Sequence, residues 1–502
     1  MAKKDKPFRP KARRPRGFED RPADILKAER DLVARAGEVY EAHGFMPLAT
    51  GAFEYADALG KFLPDEERPN EGVFALQDDD EQWMALRYDM TAPLARYVAE
   101  NFDGLAKPYR RWQAGSVWRN EKPGPGRFRE FTQCDADSVG APGPEADAEM
   151  VMLAAKVMEA AGLGEGDFVV RVNDRRLLDG VLDLAGVGDA AQKGRVLRSL
   201  DKLDKFGWDG VAQLLGGGRK DESGDFTEGA KLDDAQIEAV KRFTEASGAY
   251  ESGAADPAGE TIRALGAALD GSQQGEAGVA ALGVINDILK GLDFGPAQFR
   301  IDTSVVRGLG YYTGTVFEAE LLKTATYEDG KPIQFGSVGG GGRYDDLVSR
   351  FKGQPVPATG FSFGVSRFAA ALRALESGEA SKFDGPVVVL ALEDGQAAEY
   401  FGMAAEIRQK LNVPAEVYVG SGRNFGKQLK YADKRGAPVA VIVGSEEREN
   451  GQVTIKDLAL GAKLSAEAET REEWLANEQQ KTVPRGEMIE TISRALSRMK
   501  DQ

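Results

Sequence analysis

A chain of 502 residues is too long for one hydrophobic core, so roughly two to four domains are expected. Its single cysteine (Cys134) and single histidine (His43) exclude an internal disulfide, a cysteine-cluster or multi-histidine zinc site and an HExxH protease. The formal net charge of −16 argues against nucleic acid only as a global sum, because backbone binding needs no more than a local basic face.

Residues 1–16 carry eight Lys/Arg against one acid, Asp5. Two readings stand for this flexible tail: a disordered, solubilising segment, or an arm that touches RNA phosphates. No apolar segment follows it, and Pro7, Pro10 and Pro15 would interrupt an amphipathic helix, so neither a secretory signal nor a mitochondrial presequence is expected. No apolar run approaches the roughly 20 residues needed to span a bilayer. A cytoplasmic protein with no membrane partner is the expectation.

From residue 22 to 43, Ile25, Leu26, Leu32, Val33, Ala36, Val39 and Tyr40 recur at helical spacing, with Gly44 placed to end the helix. His43 falls at the end of that pattern, where it reads as a helix residue rather than a triad base. Chemistry must therefore rest on carboxylates, arginines, lysines, tyrosines and bound ions, which favours phosphate or carboxylate substrates. Strand-like runs follow at Val73–Leu76, Trp83–Leu86, Tyr109–Trp118 and Arg127–Asp137, then a helix across Ala146–Ala161. From about 165 to 295 the texture turns Gly-, Ala- and Asp-rich, which predicts an inserted, mostly helical subdomain. Strands return at Phe299–Val306 and Thr315–Leu321, and a helix is expected from Ser366 to about Leu375. After a linker at Glu376–Gly385, Val387–Leu392 opens an alternation of strand and helix that predicts a compact α/β domain with a mainly parallel sheet.

None of the Gly-Lys pairs, at 60–61, 330–331 and 426–427, is followed by Ser or Thr, so there is no P-loop, and no GxGxxG fingerprint is present. A nucleotide would have to be bound by other means. The segment Trp112–Glu121, a Pro/Gly loop (Pro123–Gly126) and Arg127-Phe128-Arg129-Glu130-Phe131 form an antiparallel hairpin pattern. Its guanidinium groups suit phosphates and its rings suit a base. The same pattern also fits a surface hairpin with cross-strand ion pairs.

Trp118-Arg119-Asn120-Glu121 with Gly126-Arg127-Phe128-Arg129-Glu130-Phe131 resembles motif 2 of the class II aminoacyl-tRNA synthetases. Gly360-Phe361-Ser362-Phe363-Gly364-Val365-Ser366-Arg367-Phe368 resembles motif 3, and residues 19–54 resemble motif 1, with Thr50-Gly51-Ala52 where its proline usually stands. Two further stretches, Val306–Glu318 (with Arg307-Gly308-Leu309-Gly310-Tyr311-Tyr312) and Gly341-Gly342-Arg343-Tyr344-Asp345-Asp346-Leu347, are similar to the histidine-specific motifs of the bacterial class IIa histidyl-tRNA synthetases.

That resemblance implies an α+β catalytic core on an antiparallel sheet, with a helical insertion and a C-terminal α/β anticodon-binding domain. The expected divisions are a tail (1–16), the first part of the core (17–165), the insertion (166–295), the second part of the core (296–380) and the anticodon-binding domain (386–502). It implies activation of L-histidine by ATP with Mg2+, transfer to histidine tRNA, and a homodimer. Arg119, Arg307 and Arg367 would be catalytic. ATP would meet Arg119, Glu121, Arg127, Phe128 and Arg367, with Glu121 a candidate metal ligand. Histidine would meet Asp89, Thr91, Gln133, Asp137, Arg307, Tyr311 and Tyr312. Asp89 stands where the family carries Glu, one methylene shorter, and Gly310 where it carries Asp. The alternative is a non-catalytic regulatory paralogue of ATP phosphoribosyltransferase, which shares the core but normally lacks the C-terminal domain.

Overall fold

The computed structural model describes residues 9–62, 72–123, 128–200, 202–220, 226–250, 252–306, 312–326, 332–375, 383–467 and 479–500. The chain divides into two compact units, Met1–Glu376 and Ser377–Gln502.

The first unit is built on an eight-stranded sheet in the order Met46–Pro47, Tyr109–Trp118, Glu130–Val139, Ala358–Gly364, Pro332–Arg343, Thr315–Thr326, Phe168–Asp174, Phe299–Ile301. All inner pairings are antiparallel and the two outermost are parallel. Helices Ala23–Ala42, Pro144–Ala160 and Val365–Leu375 cover one face, where Tyr40, Leu153, Phe361, Phe363 and Phe368 share one core with Cys134 and Ala136. The other face carries the helix Thr91–Glu100, whose Leu94 and Val98 pack with Val139 and Tyr344. Alternation along Glu130–Val139 sends Cys134 and Ala136 to the side of the three helices and Gln133, Asp135 and Asp137 to the opposite side.

The helical insertion begins later than composition suggests. Phe168–Asp174 lies inside the 166–295 segment yet pairs with Thr315–Thr326 in the main sheet. Its Phe168, Val169, Val170 and Val172 are all buried, as expected of a strand covered on both faces. Helices then run from Arg175 to Gly291, with the short hairpin Gly218–Lys220 and Phe226–Glu228 among them. Several start on side-chain caps: Asp174 to the Arg176 N–H, Asp233 in a capping box with Gln236, and Ser272 to the Gly275 N–H.

The second unit holds a five-stranded sheet in the order Ala415–Val417, Val387–Val389, Val439–Ile442, Gln452–Asp457, Gln480–Pro484. The first three strands are parallel; Gln452–Asp457 runs against them and pairs antiparallel on both its sides, with Val439–Ile442 and with Gln480–Pro484, so half the pairings are antiparallel and the sheet is mixed. A short connection links Val439–Ile442 to the next strand, too little chain for a parallel crossover. Gln428 is fully buried and pins the helix Phe425–Lys434 to the sheet by accepting from the Ala391 N–H (2.7 Å) and donating to its carbonyl (2.8 Å).

Gly341 sits at a tightly packed point of the large sheet. A Cβ there would lie 2.1 Å from the Gly360 carbonyl oxygen and 2.6 Å from the Phe317 ring. Neither obstacle is a flexible chain end. Gly341→Ala is therefore expected to destabilise the first unit by about 1–3 kcal/mol, the usual cost of overpacking. Chemical denaturation measures this; an unchanged midpoint would contradict it.

Candidate active site

On Glu130–Val139 the side chains of Gln133, Asp135 and Asp137 share the face opposite the helical core. Their register partners are Gly115, Gln113 and Arg111 on one side and Gly364, Ser362 and Gly360 on the other. The glycines make room. A Cβ on Gly115 would lie 2.5 Å from Arg87 Nη2, and one on Gly360 only 2.1 Å from Asp137 Oδ1.

Asp137 is 2% exposed and Arg111 is 0% exposed. Arg111 Nη2 stands 2.8 Å from Asp137 Oδ2 and donates to the Met90 carbonyl at 3.1 Å, while the Tyr344 hydroxyl donates to Asp137 Oδ1. Asp135 accepts from Ser362 Oγ, which accepts in turn from Gln133 Nε2 at 3.0 Å. That relay orients the Gln133 amide. Among the described residues, neither Gln133 Oε1 nor Asp137 Oδ2 receives an aligned hydrogen bond, although both are buried. Buried acceptors are normally paired; Gln133 Oε1 has no donor among the described residues and Asp137 Oδ2 has only the Arg111 ion pair, so both suit a ligand that brings its own N–H donors.

Asp89 caps the helix Thr91–Glu100: its Oδ1 accepts from the Thr91 N–H (3.1 Å) and the Ala92 N–H (2.9 Å). Burial raises its pKa; the two N–H groups and Arg119 pull it back, and Asp137 adds to the rise. Burial also pushes up Asp137, against Arg111 and the Tyr344 hydroxyl. Asp135 is pushed up to about 7 by burial first, with Asp137 and Asp89 adding and Arg111 and Ser362 opposing. Asp137 thus raises both Asp89 and Asp135, while Arg111 opposes the rise of Asp135 and Asp137 and Arg119 that of Asp89.

Arg119 Nε donates to the Tyr88 carbonyl at 3.2 Å, and its guanidinium lies 5.1 Å from the centre of the Phe131 ring. Arg367 is exposed in the first turn of Val365–Leu375 and donates to the Phe335 carbonyl. The Thr132 N–H donates to Ser366 Oγ at 3.3 Å, tying that turn to the hairpin. Arg119 and Arg367 therefore stand at the same end of the sheet. Thr91 and Tyr312 are half-buried, with the Tyr312 ring against Gly342. Glu121 and Phe128 (39%) are exposed, and the Glu121 carbonyl accepts from Arg129 Nε at 2.9 Å. Arg127, Arg307 and Tyr311 lie outside the described residues.

Arg111, Asp135, Ser362 and Tyr344 are site residues that sequence reasoning did not single out. The signal for Asp135 was its place between Gln133 and Asp137 at the two-residue period of a strand. In the second glycine-rich motif, Arg343 is a structural tie: it donates to Asp147 Oδ2 (3.0 Å), the Ala141 carbonyl (3.0 Å) and the Gly143 carbonyl (2.8 Å).

The family model described as histidyl-tRNA synthetase matches residues 17–368, and that of an anticodon binding domain matches 386–495. A histidine–tRNA ligase of Rhizobium leguminosarum bv. trifolii is 53% identical over 501 residues, covering 99% of this chain and 97% of the relative. One of Brucella abortus is 56% identical over 476 residues, covering 94% and 93%. The crystal structure of histidyl-tRNA synthetase from Nostoc sp. PCC 7120 superposes with a TM-score of 0.72 at 27% identity, over 97% of this chain and all of that one.

A carboxyl whose pKa is raised on folding holds its proton more tightly in the folded state. Its contribution to stability is complete below the unfolded value near 3.8 and is lost as pH rises through about 7. Asp135→Asn, which cannot ionise, is expected to lose less stability than the unsubstituted chain between pH 5 and pH 8. Denaturation midpoints at the two pH values measure this, and parallel losses would contradict the assignment.

Proposed function

The chain belongs to the histidyl-tRNA synthetase family, and from that premise we propose how its own residues carry the reaction. It is a histidine–tRNA ligase. The histidine carboxylate attacks the α-phosphorus of ATP, forming a carboxyl–phosphate bond and expelling pyrophosphate; the terminal ribose of the tRNA then takes the histidyl group. Matches that run through residues 386–495 as well as the core favour the ligase over a regulatory paralogue.

The first step presses two anions together, so fixed cations and alignment are the sources of rate. Arg119, held by the Tyr88 carbonyl, would meet the α-phosphate and Arg367 the γ-phosphate. Arg307 would bridge the amino-acid carboxylate and the α-phosphate. Phe128 and Arg367 would stack on adenine, and Arg127 would join the ATP contacts. Magnesium is bound mostly through substrate phosphates with one or two carboxylates. Glu121 would supply such a carboxylate, and the ion would screen phosphate charge.

Histidine would place its α-ammonium by Asp89, Thr91 and Gln133, and its imidazole by Asp137, with Tyr311 and Tyr312 closing the pocket. The observation that carries this is the pair of buried acceptors, Gln133 Oε1 and Asp137 Oδ2, without aligned donors among the described residues. A site that hydrogen-bonds a polar side chain rejects apolar analogues by roughly 10⁴ or more, because its own groups would be left unpaired. Pyrophosphate exchange tested with all twenty amino acids is expected to respond to histidine alone. Arg307→Ala is expected to abolish that exchange while histidine binding stays measurable; wild-type exchange in the variant would refute the role.

The tRNA anticodon would meet the C-terminal unit, where Val419 (78%) and Phe425 (41%) are exposed near Arg423 and Lys427, the pairing of apolar and cationic surface that unstacked bases favour. A homodimer is proposed from the small sheet Phe53–Tyr55, Trp83–Leu86, Ala75–Gln77. Tyr55, Met84 and Leu76 lie in one cross-strand row, and Phe53, Tyr55 and Leu76 are 44–55% exposed, an apolar face that fits a second copy. No described helix is long and apolar enough to cross a membrane, and the cytoplasm is the proposed location. Tyr55→Glu with Leu76→Glu is expected to halve the sedimentation mass, whereas a single-chain mass for the unsubstituted protein would refute the dimer.

A further inference from the structure

Residues 9–16 read Arg-Pro-Lys-Ala-Arg-Arg-Pro-Arg: five cations and no acid in a chain of net charge −16. All eight residues are exposed, and 9–15 form neither helix nor strand. Pro10 and Pro15 favour an extended backbone.

What distinguishes this stretch from a solvated tail is where its root is held. The Arg129 N–H donates to the Gly17 carbonyl at 2.8 Å, and the Arg129 carbonyl accepts from the Arg119 N–H at 2.8 Å. One residue of the hairpin thus holds the arm by one backbone group and Arg119 by the other. The fit is close. Gly17 has φ +84°, and a Cβ there would lie 2.9 Å from Arg129 Cδ and 3.2 Å from Pro123 Cβ. Phe18 packs on Phe74 with ring centres 5.7 Å apart, and Arg21 donates to Thr132 Oγ1 at 2.7 Å.

The second step of the reaction requires the terminal ribose of the tRNA at the adenylate, beside Arg119. Because Arg129 alone separates the root of the arm from Arg119, the paired stem adjoining that ribose falls within the arm's span. We propose that residues 9–16 bind the phosphate backbone of the tRNA acceptor stem. Eight extended residues reach roughly 25 Å at about 3.1 Å each, enough to pass several successive phosphates of a paired stem. The contact is to phosphates, so it supplies affinity and orientation rather than sequence reading. This inference rests on the ligase activity proposed above.

The test is the full-length chain with Arg9, Lys11, Arg13, Arg14 and Arg16 all changed to Gln. Histidine-dependent pyrophosphate exchange reports the first step, and it is expected to stay within about twofold of the unsubstituted enzyme. At a salt concentration of about 150 mM, the KM for histidine tRNA, and equally for a minihelix carrying only its acceptor stem, is expected to rise about tenfold or more. The slope of log affinity against log salt is expected to fall by about 3, as for roughly four lost phosphate contacts. An unchanged KM and slope would overturn the proposal, as would a loss confined to full-length tRNA. Absence of histidine-dependent exchange in the unsubstituted enzyme would instead overturn the activity on which it rests.

Discussion

A guanidinium with no access to water, Arg111, faces two carboxylates that are themselves buried, Asp135 and Asp137. Burying charge is costly, and such a group persists only when its partners are held in place. Much of the surrounding geometry follows from that demand. Gly360 has no side chain because Asp137 Oδ1 occupies its space, Tyr344 reaches back to the same oxygen, and the Met90 carbonyl takes another Arg111 N–H. Removing Arg111 alone would strand the two acids, a loss of about 3–5 kcal/mol by analogy with other broken buried pairs.

The charge sum also shapes the pocket. Burial raises Asp89, Asp135 and Asp137; Asp137 raises the other two further and Asp89 raises Asp135, while Arg111 and Arg119 oppose. A ligand that brings an ammonium and a polar ring N–H would relieve the repulsion and give Gln133 Oε1 and Asp137 Oδ2 aligned donors. An apolar amino acid would do neither. Selectivity on this account comes from the cost of leaving the pocket unsatisfied.

Local signals were enough for much of the fold. Tyr109–Trp118 is the strand expected at both its ends, and the helix at 22–43 is found at Ala23–Ala42. Phe168–Asp174 escaped because its partner, Thr315–Thr326, lies far along the chain and its surroundings are helical. The site divides the same way. Asp137 and Gln133 were reached through resemblance to a family motif, whereas the Ser362–Asp135 and Tyr344–Asp137 contacts span 227 and 207 residues and have no local signature. The hairpin, open to a surface reading from sequence, in fact buries Arg111 while its neighbour Arg110 pairs with Glu149 on the opposite, helical side. Alternation along the strand separates the two.

The most direct measurement is a crystal structure with a non-hydrolysable histidyl-adenylate analogue bound. The account predicts the imidazole within hydrogen-bonding distance of Asp137, the α-amino group against Gln133 and Asp89, and the phosphate mimic between Arg119 and Arg307. An analogue seated with its ring away from Asp137, or with its phosphate mimic touching neither arginine, would contradict it.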